Sequence, residues 1–128
     1  MKANELRIGN WVSFDEYCKV DYIGENLFWC VDKGGASYKS TWAEIEPIPL
    51  TPEILEKAGF SLYSKHSYWN YRTGNNFFLS MWALDEQVAG FEKKGVFYWG
   101  DGFLEVHYLH QLQNLYFCLT GEELNIQL

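Results

Sequence analysis

From Glu5 to Pro49 apolar and polar residues change places in short runs. "RIGNWVSF" sets a Gly-Asn turn ahead of an apolar run, Trp11 to Phe14. "CKVDYIG" alternates, which predicts a strand with Cys18, Val20 and Tyr22 on one side. "NLFWCVD" follows, then a Gly34-Gly35 turn, then "SYKSTWAEIEP". Short apolar runs bounded by turn residues predict four strands of a small curled sheet or barrel.

"PIPLTPEILEKAGF" changes the period. Pro47 and Pro49 hold the chain extended, and Thr51 with Pro52 predicts a helix start. Ile54, Leu55 and Ala58 fall on its inward face, and Gly59 marks a left-handed stop with Phe60 packing back. Beyond it an antiparallel meander is predicted, with strands at Ser67 to Arg72, Asn76 to Ala83, Val88 to Glu92, Val96 to Trp99 and Phe103 to His107. "RTGNN", "EKKG" and "GDG" supply its turns. The fold class read from this order is α+β: an SH3-like small β-barrel or curled sheet, a linking helix, an antiparallel sheet and a C-terminal helix. The SH3-like comparison concerns fold alone, because that fold hosts many functions. Residues 1–50 form the first subdomain in this reading, and 51–128 form the rest and share one core with it.

The C-terminal helix is expected over "YLHQLQNLYFCLTGEEL", with Gly121 as its stop. Tyr108, Leu112, Leu115 and Leu119 share a face at helical spacing, and Tyr116 extends it. Opposite lie Gln111, Asn114 and Cys118, with His107 added if the helix starts early, and His110 and Phe117 at the flank. No Asp, Glu, Lys or Arg occurs from Val106 to Gly121. A helix face in water ordinarily carries Lys and Glu, whereas amides suit a covered face because they donate and accept without desolvating a charge. The apolar face is therefore expected on the meander. The amide face is expected on the N-terminal segment or on another chain, with Gln111 and Asn114 buried and hydrogen-bonded. His110, Gln111, Asn114, Phe117 and Cys118 form the candidate partner face.

Composition narrows the class. The chain has 128 residues, with 48% hydrophobic and 21% charged, which is globular in type. Aromatic residues make up 19%, enough either to fill a thin sheet core with rings or to leave some as a platform for a sugar or a base. Only 10 basic residues face 17 acidic ones, for a net charge of −7, and no basic run occurs. That balance argues against nucleic acid as a partner, since phosphate contacts need Lys and Arg, although it leaves room for a local patch. "MKANELRIGN" lacks the apolar core of a signal peptide, and no stretch reaches the length of a membrane span. Three cysteines without a C-x-x-C pair are read as free thiols in a reducing cytoplasm.

Three stretches also carry a resemblance. "NELRIGNWV", "IEPIPLTPEILEKAGF" and "YLHQLQNLYFCLTGEEL" together resemble a family of small uncharacterised proteins of Bacteroides-type gut bacteria and their phages. Members pair an opening like E-L-R-I-G-N with P-I-P-L-T and a closing H-Q-L-Q-N-L-Y-F-x-L-T-G-E-E-L. The likeness covers the beginning, middle and end of the chain. It implies a bacterial or phage cytoplasmic origin, with a mobile element as one setting. It carries over no activity, substrate, cofactor or site residue.

Candidate chemistry is thin. His107 and His110 form an H-x-x-H pair, but no second His/Cys cluster completes a zinc site, so no metal is expected. Cys118 lies two helical turns from His110, too far for a thiolate–imidazole pair, and Cys18 and Cys30 look like core residues of strands. His66 reads as a loop residue. Asp85-Glu86, Asp101, Glu105 and Glu122-Glu123 could supply paired carboxylates to a hydrolase, but nothing in their spacing makes two of them converge. "TGNN" and "GDG" close hairpins and do not open helices, unlike phosphate loops. The expected function is a non-catalytic cytoplasmic protein-binding or assembly module with no cofactor, its partner a protein or a second copy. The alternatives are a small carboxylate-dependent hydrolase and an aromatic platform for a glycan or nucleotide. Two converging carboxylates in a cleft would favour the first, and a flat row of exposed Trp or Tyr the second.

Overall fold

The computed structural model describes residues 3–63, 68–73, 77–81, 89–93, 96–99 and 106–128, with side chains at 4–60 and 106–128. It is α+β, and its chain divides into two compact units. The first unit comprises Met1–Pro49, Tyr108–Glu123 and Leu128; the second comprises Leu50–His107 and Leu124–Gln127.

In the first unit the strands are β1 (Trp11–Phe14), β2 (Glu16–Ile23), β3 (Phe28–Asp32) and β4 (Ser37–Ser40), paired antiparallel in chain order. The sheet is open, since no pairing of these strands joins β4 to β1. Past β4 the chain returns to the edge of β1, where Ser13 and Glu46 exchange two backbone hydrogen bonds of 2.9 Å. The tight β1–β2 connection puts Asp15 at φ 58°, a left-handed conformation that Asp tolerates better than most side chains. Inward positions hold Val12, Cys18, Val20, Phe28 and Cys30, all at most 1% exposed, with Leu6 and Ile45 closing the cluster. Phe28 stacks on the half-buried Trp42 with ring centroids 5.1 Å apart.

One side chain departs from the simple alternation. The register of β2 against β3 shifts between Val20 and Tyr22, so Val20 faces Cys30 and Tyr22 faces Trp29. The inserted residue is Asp21. A bulge of this kind turns the following side chain to the other face. Tyr22, expected beside Cys18 and Val20, therefore points outward and is 54% exposed.

The helix α2 (Leu109–Thr120) completes this unit. Leu109 N donates to Ile48 O at 2.9 Å, and Pro49 bridges Tyr108, which fixes the helix entry. Gly121 at φ 75° ends it, its N–H donating to Phe117 O at 2.8 Å. Its buried residues are Leu109, His110, Leu112, Gln113 and Tyr116. Leu115 and Leu119, expected at the centre of the apolar face, are half-buried. The buried arc is turned by about one residue, ~100° of helix rotation, towards Leu109 and Gln113.

The second unit opens with α1 (Pro52–Lys57). Thr51 caps it, its hydroxyl accepting from Ile54 N at 3.3 Å, and Gly59 takes the left-handed stop at φ 93°. Ile54, Leu55, Ala58 and Phe60 are buried, as their spacing predicts. A five-stranded antiparallel sheet follows in chain order: β5 (Ser61–Tyr63), β6 (Tyr68–Thr73), β7 (Phe77–Met81), β8 (Ala89–Lys93) and β9 (Val96–Trp99). β5 was not expected. The segments placed at the turns "RTGNN", "EKKG" and "GDG" lie largely outside the described residues, as do His66, Asp85, Glu86, Asp101 and Glu105. Of the strand expected at Phe103 to His107, positions 103–105 also lie outside them. Val106 and His107 carry no strand, and His107 O accepts from Leu50 N at 3.0 Å.

Candidate functional site

The uncharged helix is explained by what it touches. Gln113 is buried, and its amide spans two backbone groups of the opening segment. Its Nε2 donates to Gly9 O at 3.1 Å and its Oε1 accepts from Trp11 N at 2.9 Å. Asn114 Oδ1 accepts from Arg7 Nε and from Asn10 Nδ2, both at 2.9 Å, while its Nδ2 donates to Glu5 O at 3.0 Å. Asn10 is fully buried, and its Oδ1 accepts from Arg7 N at 2.7 Å. Arg7 lies 4.1 Å over the Phe117 ring and makes a forked ion pair with Glu123 at 2.7 and 3.2 Å. "RIGNW" and "QN" thus form one hydrogen-bonded assembly across roughly a hundred residues of sequence.

The candidate partner face divides accordingly. Asn114 is half-buried and engaged within the chain. Gln111 is half-buried and caps its own helix, its Oε1 accepting from Tyr108 N at 3.1 Å. His110 is buried, stacked against Tyr108 with centroids 6.0 Å apart. Phe117 and Cys118 are exposed. Gln113, the amide that holds most, was absent from that face. The signal for it is its place inside the Leu109, Leu112, Tyr116 stripe, where an amide needs buried partners.

Of the other exposed apolar groups of this unit, Ile8 lies in the opening loop, and Tyr17, Tyr22, Trp29 and Tyr38 lie on the sheet. Cross-strand pairs put Trp11, Lys19 and Val31 in one row and Tyr22, Trp29 and Lys39 in the next. Tyr17 stands opposite Ser13, with the Lys33 ammonium 5.8 Å over its ring. Tyr17 and Trp29 are each 38% exposed on this outward face. Lys19 lies 5.1 Å over the buried Trp11 ring. Beside the β1–β2 connection an open hollow of about 380 Å³ is lined by Ser13, Asp15, Glu16, Tyr17 and Lys33.

Asp32, paired with Cys18, accepts from Gly34 N and Ala36 N at 2.9 Å and from the Tyr38 hydroxyl at 3.0 Å. These donors, the Ala36 N–H foremost, hold its carboxyl below the usual range, and the same contact raises the Tyr38 phenol. Asp32 is thus a turn-bracing group.

All three cysteines are free. Burial, with Cys30 nearby, pushes the Cys18 thiol up to about 12, and burial also raises Cys30. In the folded protein a disulfide-exchange reagent should therefore label one thiol per chain quickly, the exposed Cys118, and all three in denaturant. Fast labelling of a second thiol before unfolding would contradict the buried pair. Among the described residues no group of three or more His, Cys, Asp or Glu is placed to hold a metal ion.

Burial lowers the His110 pKa from 6.5, although the Glu5 carboxylate pulls it upward. Its Nδ1 is buried with no hydrogen-bond partner among the described residues. The fold holds the neutral imidazole, so the unfolded chain takes up the proton first. Stability should be full above about pH 6.5 and fall as pH drops below it. Urea midpoints measured from pH 7.5 to 5.5 should decline in the parent and flatten in His110→Phe. An equal decline in both would assign the effect to another group.

No family model matches the chain, and no curated protein or solved structure matches it. No helix among the described residues is long and apolar enough to cross a membrane.

Proposed function

We propose that the protein is a non-catalytic binding module whose binding surface is the outward face of the first sheet. The observation that carries this reading is the exposure of Tyr17, Tyr22 and Trp29 together on one face of adjacent strands. Large rings held in water contribute little to a core, and contiguous apolar surface marks interaction sites. The amides Gln113 and Asn114 are engaged within the chain, which leaves the sheet as the better candidate for a partner. The return of the chain to β1 at Glu46 supports reading this unit as an opened SH3-like barrel. The sequence resemblance supports a bacterial or phage setting, with a cytoplasmic location as its corollary.

The test compares the parent with a Tyr22→Ala, Trp29→Ala double variant against panels of oligosaccharides, oligonucleotides and peptides. At unchanged melting temperature, the variant should lose a ligand that the parent binds. A ligand held equally by both would move the site off the sheet. Turnover of a panel compound would replace the module with an enzyme.

A further inference from the structure

We propose that the outward face of β2, β3 and β4 binds single-stranded nucleic acid, with bases stacked on Trp29 and Tyr22 and phosphates met by Lys19, Lys33 and Lys39. This rests on reading that face as the binding surface and adds the chemistry of its ligand.

The first argument is where charge sits. The chain is strongly acidic, yet Lys19 and Lys39 stand at outward positions of one small sheet, and Lys33, in the turn after β3, reaches over the Tyr17 ring. Lys33 and Lys39 are exposed and Lys19 is half-buried. At the outward positions of β1 to β4 a single carboxylate appears, Asp21 in the bulge. Glu16 and Asp32 pair with the inward-pointing Phe14 and Cys18, and Asp32 is bound by its own turn. Asp15 and Glu16 rim the Tyr17 end, where Lys33 lies beside them. The net charge therefore does not describe the outward strand positions of β2 to β4, where Lys19 and Lys39 face the single carboxylate Asp21.

The second argument is the alternation of ring and cation. Tyr22 stands directly across from Trp29, and Trp29 directly across from Lys39. Opposed side chains in antiparallel strands sit about 5 Å apart at Cβ. A strand of nucleotides presents that pairing of needs: flat bases for rings and a phosphate for each cation. The bulge at Asp21 makes the site, because without it Tyr22 would point into the core. A neutral glycan would use the rings but gives three ammonium groups no counter-charge. A peptide of Asp and Glu alone would use the ammonium groups but offers no ring to stack. Duplex DNA hides its bases from a flat sheet.

The probe is a fluorescently labelled oligo-dT of about 15 nucleotides, long enough for a site of this type. Anisotropy titrations with the full chain should show binding at low salt that weakens as salt rises. Three phosphate contacts predict a log–log salt slope of about −2, from ~0.7 per contact on single strands. Trp29→Ala should weaken binding about tenfold, and Tyr22→Ala should do so separately, a second variant in case the first perturbs the sheet. Lys19→Gln with Lys39→Gln should reduce the slope to about −0.7. Ile8→Ala, an exposed apolar side chain outside the strands, should change nothing. No binding by the parent at low salt overturns the inference. If dextran sulfate or polyglutamate binds in a Trp29-dependent way while the oligonucleotide does not, the nucleic-acid assignment falls and the binding face stands. If the oligonucleotide binds but none of the sheet variants alters it, both fall.

Discussion

Replacing Gln113 with leucine should destabilise the protein by about 2–4 kcal/mol, although leucine fits the apolar stripe around it. The reason is the pair of backbone groups it would abandon. Trp11 N and Gly9 O take their bonds from this one amide, at 2.9 and 3.1 Å. A buried group left unpaired costs about 1–3 kcal/mol, and the half-buried Gly9 recovers part of its share from water. Urea unfolding followed by tryptophan fluorescence measures the change. Gln113→Glu gives a sharper version. The carboxylate can accept from Trp11 N but cannot donate to Gly9 O, so it should be worse than the parent at neutral pH and partly restored when protonated. Glu123→Gln should cost less than about 1 kcal/mol, because its pair with Arg7 is solvent-exposed. A Gln113→Leu loss below about 1 kcal/mol would mean that α2 does not hold the opening loop in this way.

Leu112→Ala should cost about 2–5 kcal/mol, the range for removing a fully buried leucine. Leu115→Ala should cost less than half as much, because Leu115 is half-buried. The contrast is the informative result. It reports the rotation of α2 about its axis, since a helix centred on Leu112, Leu115 and Leu119 would make the two losses equal. Equal losses would restore that wheel and place Gln113 at the edge of the buried arc.

Elements marked by local chemistry were legible in the sequence. Thr51, Pro52 and Gly59 bound α1 because cap and stop residues act within a single turn of chain. Four short strands were readable between Trp11 and Ser40 from their turn residues, and Gly121 announced the end of α2. Features set by distant partners were not. The direction of Tyr22 depends on a one-residue slip against β3, and alternation alone assumes that no slip occurs. The orientation of α2 depends on Gln113 facing Gly9 and Trp11, and a wheel drawn from apolar residues counts an amide as solvent-facing. The missing charge marked amides engaged with the opening segment, but Gln111 and Asn114, expected buried, are half-buried, and Phe117 and Cys118 beside them are exposed. The placing of Lys19 and Lys39 on the face of Trp29 was not legible because it depends on the register of three strands.

The bonds between "RIGNW" and α2 also set an order of events during synthesis. Gly9 and Trp11 leave the ribosome about a hundred residues before Gln113, and most of the second unit, Leu50–His107, is translated in between. Chains emerge at ~5–20 residues per second, slowly against the microsecond formation of a hairpin. The β1–β2 and β2–β3 hairpins can thus form early, while the opening loop waits several seconds for its amide partners. The unit that begins first is finished last. A nascent chain halted before Leu109 should therefore leave the Trp11 amide open to exchange until the C-terminal helix arrives, while Gly9 N already has Val20 O.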